Sequence, residues 1–433
     1  MASVCFYFQV HQPSRLRHYT VFDENHHYFD DRKNAEICRK VANKSYLPAN
    51  RVILDLIRRF DGRFKVAYSV TGVLLEQLAA YSPEVLSTFD ALARTGCVEF
   101  LAETYYHSLS FLYSRNEFAE QVNKHVKTIQ ELFGQTPRVF RNTELIYNND
   151  LAALIESMGC FDAIISEGAD HILGYRSPNF VYRPKGCNDL KLLLKNYSLS
   201  DDIAFRFSNR DWSQWPLTAE KFTHWVNRIN GNGFVVNLFM DYETFGEHQW
   251  KDTGIFDFLD HLPGEILKHP DNNFKTPSEV IKAYQPIGVV DVPHLISWAD
   301  TERDLSAWLG NAMQSNAIHE LYRLERKIKS SGDQKLIDDW RKMQTSDHFY
   351  YMCTKYFADG LPTCPKLFEP QPHSRPLSSN AKLCVSPAAM CLMRTGNSTL
   401  AGTNPAVSVP VPNWPAAFAP QAHTRPLRSS AST

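Results

Sequence analysis

An α/β fold with a parallel sheet, followed by a helical subdomain, is what this 433-residue sequence predicts. Three observations carry that reading. Apolar, β-prone runs alternate with amphipathic helical stretches through roughly the first two-thirds, the rhythm of units that build parallel sheets, open or closed into a barrel. Several of these runs end in His, Glu or Asp beside aromatics. Residues from well-separated strands converge on one mouth more readily when the sheet is curled into a barrel. From about residue 302 the strands stop, and Leu, Ala, Arg and Glu recur at helical spacing.

Taken in order, CFYFQV (5–10) is the first strand and runs into His11, Gln12 and Pro13. Residues 50–60 space their apolar side chains for a helix, and FKVAYSV (64–70) returns as a strand ending at Thr71-Gly72. VEFLA (98–102) delivers Glu103, with Tyr105, Tyr106 and His107 behind it. A helix over 117–133 precedes RVFRNT (138–143), which delivers Glu144 and then Tyr147, Asn148 and Asn149. A helix over 149–158 leads to the strand CFDAIIS (160–166). DIAFRF (202–207) reads as a further strand, joined by a helix at 218–230 to FVVNLF (234–239). That last run ends in Asp241, Glu243, Glu247 and His248. On an extended chain, positions two apart point to one side, so Asp241 and Glu243 would share a site.

One carboxylate at a strand end is usually a cap or a solvated turn. Four strand ends, each bringing His or an acid beside aromatics, read as one cleft. Residues 302–330 and 333–344 read as the helices of the subdomain, introduced by the aromatic and charged run at 297–304. An Asp there either caps the helix or, with Trp298, forms a sugar-contacting edge. The expected organisation is thus a catalytic domain over 1–296, a helical subdomain over 297–360 and a tail over 361–433. The tail is rich in Pro, Ser, Ala and Thr. FEPQPHSRPLSSNA (368–381) returns there as FAPQAHTRPLRSSA (418–431), nine of fourteen positions identical, a pattern of disorder to which no function is assigned.

Lys and Arg number 46 against 47 Asp and Glu, a net charge of −1 without a basic cluster, which argues against nucleic acid or an anionic membrane as partner. No charged start followed by a long apolar stretch precedes the first strand, so the expectation is a cytosolic protein. The nine Cys are scattered without a CxxC pair, as buried free thiols rather than a zinc or redox motif. Oligomeric state is not legible.

Two carboxylates across a cleft are the minimum for breaking a glycosidic bond: one protonates the leaving oxygen, the other attacks the anomeric carbon or activates water. A nucleophile must be ionised, and Glu144 has Arg141, Asn142 and Thr143 beside it to hold it. An acid must keep its proton, and Asp241, after Leu238-Phe239-Met240 and near Glu243, has the desolvated, negatively charged setting for that. A metal site built from His11, His107 and His248 with Asp241 or Glu103 is the competing chemistry. It lacks both a helical His-x₃-His pair and HExxH, and no cofactor or metal is expected.

HQP (11–13), AETYYHS (102–108), FRNTE (140–144), MDYETFGEH (240–248) and SWADTERDLSAWLGN (297–311) together resemble, in order, the five sequence regions of glycoside hydrolase family 57, nearest to its α-amylase group. The resemblance covers roughly residues 1–360. It implies an incomplete (β/α)7 barrel followed by a helical bundle, acting on α-glucans with retention and without a required metal. It further implies Glu144 as nucleophile and Asp241 as general acid/base. His11, Glu103, Glu243 and His248 would line sugar subsites, and Trp298 and Asp304 would face the cleft from the bundle. Where the family continues with more ordered sequence, this chain enters its Pro/Ser repeat. Three alternatives stay open: a 4-α-glucanotransferase using the same carboxylates, a catalytically inactive glucan-binding relative, and a metal-dependent deacetylase or mannosidase.

Overall fold

The computed structural model describes residues 2–19, 22–23 and 25–355; the repeat-bearing tail lies outside the described residues. Among the described residues there are ten strands: β1 (Ser3–Val10), β2 (Val66–Val70), β3 (Val98–Phe100), β4 (Val139–Arg141), β5 (Ala163–Glu167), β6 (Val181–Pro184), β7 (Lys191–Lys195), β8 (Val235–Asp241), β9 (Asn273–Phe274) and β10 (Val289–Val290). They form two sheets, β3-β2-β1-β8 with β9 on β1, and β10-β6-β7-β5-β4. Every pairing is parallel except β6 with β7.

The two sheets curl toward one another. Ala102 and Phe140 form a parallel bridge between the β3 and β4 edges. At the other edge the Asn196 amide, just past β7, donates to the Asn237 carbonyl of β8 at 2.9 Å. The ring order is therefore β1, β2, β3, β4, β5, β7, β8, seven parallel strands joined at two seams by single contacts rather than full ladders. This is the incomplete barrel.

Strand periodicity explains what faces the interior. On β1, Val4, Phe6, Phe8 and Val10 pack against the outer helices, while Cys5 and Tyr7 point into the barrel. On β8, Val236, Leu238 and Met240 face out and Val235 and Phe239 face in. Carrying the alternation two residues on places Gln9, Ser69, Glu103, Arg141, Glu167, Lys195 and Asp241 inward at the carboxyl-terminal rim. Below that rim the interior is apolar (Ala67, Leu101, Val139, Ala163, Ile165, Leu193). The chain thus builds a greasy plug under a polar layer, the arrangement by which barrels seat chemistry at one mouth.

After the last strand come helices at Ser306–Leu309, Ala312–Arg323, Glu325–Ser331, Gln334–Lys342 and Ser346–Tyr350. Trp308, Ile318, Leu321, Trp340 and Phe349 form their core, completed from the barrel side by Tyr19, Tyr28, Leu109 and Ile146. The last helix is pinned to the mouth: the Ser346 amide donates to the His107 carbonyl at 2.9 Å, and the Thr345 hydroxyl to the Tyr106 carbonyl at 2.8 Å. No helix of the described residues is long and apolar enough to cross a membrane.

One element differs from the sequence reading. DIAFRF is not a strand: Ile203 and Ala204 end a helix, Tyr197–Ala204, whose N-cap Asn196 accepts the Leu199 amide. The alternation of Ile, Phe and Phe with smaller or charged residues imitates a strand, but Asp202 and Arg206 pair at helical spacing, 2.6 Å apart. The strand of the ring is instead Lys191–Lys195. The 302–330 stretch is helical without a strand, as read, and is divided where Asn311 starts a new helix with a capping box.

Candidate active site

Each side of the mouth carries two acids of the predicted set with a histidine: Glu144, Glu103 and His107 on one, Asp241, Glu243 and His248 on the other. On the β3–β4 side Glu144 follows β4 in a 3₁₀ turn, with φ 56° and ψ 24°. His107 also has positive φ, 51°. Left-handed backbone at a non-glycine residue costs on the order of 1–3 kcal/mol and persists where the surroundings enforce it. Here they do. The Trp298 indole N–H donates to Glu144 Oε2 at 2.8 Å, and the Trp298 amide donates to the Glu144 carbonyl at 3.1 Å. The Ser346 hydroxyl donates to Oε1 at 2.8 Å, and His107 Nε2 approaches the same oxygen at 3.3 Å.

Behind Glu144 stands a fully buried carboxylate. Glu103 meets His107 Nδ1 at 3.0 Å and accepts from Ser69 at 2.5 Å and from Gln9 at 3.2 Å. Burial alone would lower the His107 imidazole, but hydrogen bonds to Glu103 and Glu144 carry it up to about 9, so both ring N–H groups donate near neutrality. Burial would raise Glu103; the His107 cation brings it down to about 2. The same cation outweighs burial at Glu144 and holds its carboxyl below the ordinary range.

The β8 side is built from the same residue types with the opposite result. Asp241 ends β8 opposite Gln9 of β1. Its carboxylate receives no hydrogen bond from the described residues, and burial together with the charge of Glu144 pushes its pKa above the ordinary value. That influence of Glu144 on Asp241 places both acids in one electrostatic neighbourhood. His248 faces Asp241, but burial dominates and lowers it, leaving a neutral ring. Glu243 lies behind, 5% exposed. Burial and the Asp241 charge raise it to about 8, against donation from Tyr46 and Gln12, so it is protonated at neutral pH. Tyr46 comes from a π-helical turn, Ala42–Tyr46, that packs against Gly246; a side chain there would meet the Lys44 carbonyl.

The remaining predicted residues sort by contact. His11 stacks on His107, centroids 4.1 Å apart, with ring nitrogens on Thr71 (2.9 Å) and Asp347 (3.0 Å). Gln12 accepts from Arg15 at 2.7 Å and reaches Glu243 at 3.5 Å. Arg141 is fully buried, 3.7 Å from Glu103 and 5.1 Å from the Trp298 ring centroid. It does not bond Glu144. Neither do Asn142 or Thr143, whose side chains engage Ile146 and Thr104. The acids Asp241 and Glu243 adjoin as expected, but through a 3₁₀ turn at Tyr242–Thr244 rather than along an extended strand. Asp304 makes no hydrogen bond to the carboxylates: its side chain accepts the Ser306 amide at 2.8 Å, in the turn before the helix, and lies 4.0 Å from Lys355.

Residues the sequence reading missed are Ser346 and Asp347, which reach Glu144 and His11 from the last helix, and Tyr46 on Glu243. Missed too is a buried quartet: Lys195 with Glu167 (3.3 Å) and Asp201 (3.1 Å), and Arg303 with both at 3.4 Å. Arg303 donates to the Trp298 carbonyl at 2.5 Å, which fixes the loop that holds Trp298 on Glu144. With His11 and His107 so engaged, no group of three or more His, Cys, Asp or Glu among the described residues is arranged to hold a metal ion.

The profile of Glycosyl hydrolase family 57 matches residues 5–293. A protein of Methanocaldococcus jannaschii described as "Putative alpha-amylase" is 46% identical over 371 residues, 82% of this chain and 78% of that protein. Among solved structures, a GH57 branching enzyme from Thermococcus kodakaraensis overlays with a TM-score of 0.64 at 15% identity, covering 91% of this chain and 90% of its own. The 4-alpha-glucanotransferase of Thermococcus litoralis overlays with a TM-score of 0.61 at 15% identity over 80% of this chain, which spans only 56% of that protein's length. At these identities the two structures share the fold with this chain.

Proposed function

The chain belongs to glycosyl hydrolase family 57, and on that premise we propose that it cleaves α-1,4-glucosidic bonds of starch- or glycogen-type glucans with retention. Glu144 is the nucleophile and Asp241 the general acid and base. The observation that carries this reading is the contrast in environment: Glu144 receives donors from Trp298, Ser346 and a cationic His107, while Asp241 receives none and is raised by burial. A pair of carboxyl groups whose surroundings push their pKa values apart divides the two roles.

In the first half-reaction the Glu144 carboxylate attacks the anomeric carbon while Asp241 gives its proton to the departing glycosidic oxygen. In the second, Asp241 takes a proton from water as the water attacks the same carbon, releasing Glu144 and restoring the original anomer. Were a glucan hydroxyl to replace the water, the same residues would transfer rather than hydrolyse. Incubation with maltoheptaose, following anomers by proton NMR and product lengths by chromatography, tests the reading. Shortened products released first as α-anomers are expected, with none formed by Glu144→Gln. First release of the β-anomer would overturn retention, and longer products without net hydrolysis would replace the amylase reading with a transferase. A Glu144→Gln enzyme of near-normal rate would remove Glu144 from its role.

A further inference from the structure

The last helix of the subdomain brings one more acid to the mouth. Asp347 follows Ser346, whose hydroxyl donates to the Glu144 carboxylate, and its Oδ2 meets His11 Nε2 at 3.0 Å. His11 stacks on His107, which approaches the same Glu144 oxygen at 3.3 Å. Two routes thus tie Asp347 to Glu144, and its charge is felt there, opposing the larger effect of the His107 cation. Burial and the His107 charge lower His11, so its ring is neutral and carries a single N–H. Burial would raise the Asp347 carboxyl, but the bonded His11 ring and the His107 cation hold it far below the ordinary carboxylate range. An ionised carboxylate only accepts, so the ring proton sits on Nε2 and points at Asp347. His11 Nδ1 then accepts from the Thr71 hydroxyl at 2.9 Å.

This anion is only half used. His11 takes Oδ2, while Oδ1 accepts from no described residue, and no Lys or Arg among them pairs with the carboxylate. It is also the most accessible of the group. The side chains are 24% exposed at Asp347 and 17% at Glu144, against 10% at His11 and 3% at His107. Water therefore reaches this layer at its two carboxylates. An acid that merely fastens the subdomain looks different. Glu117 does that work: it is fully buried and takes the Arg341 guanidinium on both oxygens, at 2.8 and 3.1 Å.

We propose that Asp347 is a substrate-binding residue, its open oxygen accepting from hydroxyls of the glucosyl unit that Glu144 attacks. The proposal rests on the glucan reading above and adds to it a residue from outside the barrel. That glucosyl unit must touch Glu144, so the accessible groups around Glu144 are the ones that meet its hydroxyls. A carboxylate oxygen with free lone pairs is the acceptor such hydroxyls need. Positive charge also grows on the sugar ring in the transition state, and a fixed anion at its edge holds the ring more tightly as that happens. The bond should therefore show in kcat as well as in KM.

Aryl α-maltosides test this, with the ring next to the aryl group lacking its 2-, 3- or 6-hydroxyl in turn. The enzymes are wild type, Asp347→Ala and Asp347→Asn, the last keeping an acceptor for His11 in case the alanine variant folds poorly. On the complete sugar both variants are expected to lose about tenfold to a hundredfold in kcat/KM, the strength of a hydrogen bond to a charged group. One deoxy sugar should cost wild type a like factor, and the variants should then lose no more than about twofold on it, because the bond is already absent. Losses by the variants that are equal on all four sugars would mean that Asp347 only holds His11, and would overturn the proposal. So would variants within about twofold of wild type on the complete sugar. A wild type that turns over neither maltoheptaose nor the complete maltoside removes the glucan reading itself, a result seen before any variant is made.

Discussion

The two walls of the cleft contain the same kit, an acid beside a histidine with a second acid behind, and put it in opposite charge states. On the β4 wall His107 lies between Glu103 and Glu144, so two carboxylates outweigh burial and the ring is a cation up to about pH 9. On the β8 wall burial wins: His248 is lowered, Asp241 is raised, and Glu243 keeps its proton to about pH 8. The number of donors reaching each carboxylate makes the difference. Glu144 has three; Asp241 has none from the described residues. Residue type alone does not assign nucleophile and acid, whereas the count of hydrogen bonds and the dryness of each wall do.

The largest effects should come from erasing each wall's key group. Glu144→Gln is expected to abolish turnover of maltoheptaose while sugar binding survives. Asp241→Asn should cost roughly 10²–10⁴-fold in kcat on substrates whose leaving group needs a proton, and much less on an activated aryl α-maltoside. Equal losses on both substrates would deny Asp241 the acid role.

Next comes the cation between the carboxylates. His107→Gln leaves Glu103 and Glu144 without their shared partner, and breaking a buried pair costs roughly 3–5 kcal/mol. The folded-state pKa of His107 is raised, so its contribution is whole below about pH 6.5 and is lost as the pH climbs through about 9. The stability gap between wild type and variant, measured by urea titration, should therefore be widest near pH 6 and close above pH 9. With the cation gone the Glu144 pKa rises, and the acid limb of kcat/KM should move to higher pH. A gap that does not vary with pH would mean that His107 is neutral in the native protein.

How much of this was legible in the sequence follows from range and burial. Strand ends carrying Glu144, Asp241, Glu103 and His107 announce themselves because an apolar run stops at an acid or histidine, a local signal. Lys191–Lys195 escaped because a lysine at each end reads as a solvated turn; Lys195 is buried because Glu167, 28 positions away, and Asp201, six positions on, both meet it. Ser346 contacts Glu144 across 202 positions of sequence, and Tyr46 meets Glu243 across 197. No periodicity encodes such contacts, although the polar cluster Thr345-Ser346-Asp347-His348 at the start of the helix Ser346–Tyr350 was a visible anomaly. The helix at Tyr197–Ala204 did carry a local signal, an Asn cap before Tyr-Ser-Leu-Ser, which the alternation in DIAFRF masked.

Glu243→Gln sharpens the β8 wall with a smaller expected effect. A glutamate that is already protonated is close in shape and charge to glutamine, so the variant should fold and melt near wild type at pH 5. The raised pKa of Glu243 means that wild type loses stability as the pH rises from about 4.5 through about 8. The variant lacks that slope and should overtake wild type in melting temperature by pH 8. Parallel melting curves across this range would show Glu243 ionised throughout, and would remove the account of why Asp241 has a protonated neighbour.

The smallest effect belongs to Asp304, which the motif pattern places in the cleft and the fold places at a helix start. Its carboxylate accepts both the amide and the hydroxyl of Ser306 and lies 4.0 Å from Lys355, with the side chain half exposed. Asn retains the accepting oxygen, so Asp304→Asn should cost only a few tenths of a kcal/mol, and Asp304→Ala about 1 kcal/mol, as the loss of a local hydrogen bond does. Neither should change kcat/KM on maltoheptaose. Trp298, six residues earlier in the same loop, is the internal control: Trp298→Phe removes an N–H from Glu144 Oε2 and should lower kcat with KM little altered. If Asp304→Asn instead lowered kcat as Trp298→Phe does, the loop would have to close further over the sugar in the working enzyme, and the line drawn between the two residues would fail.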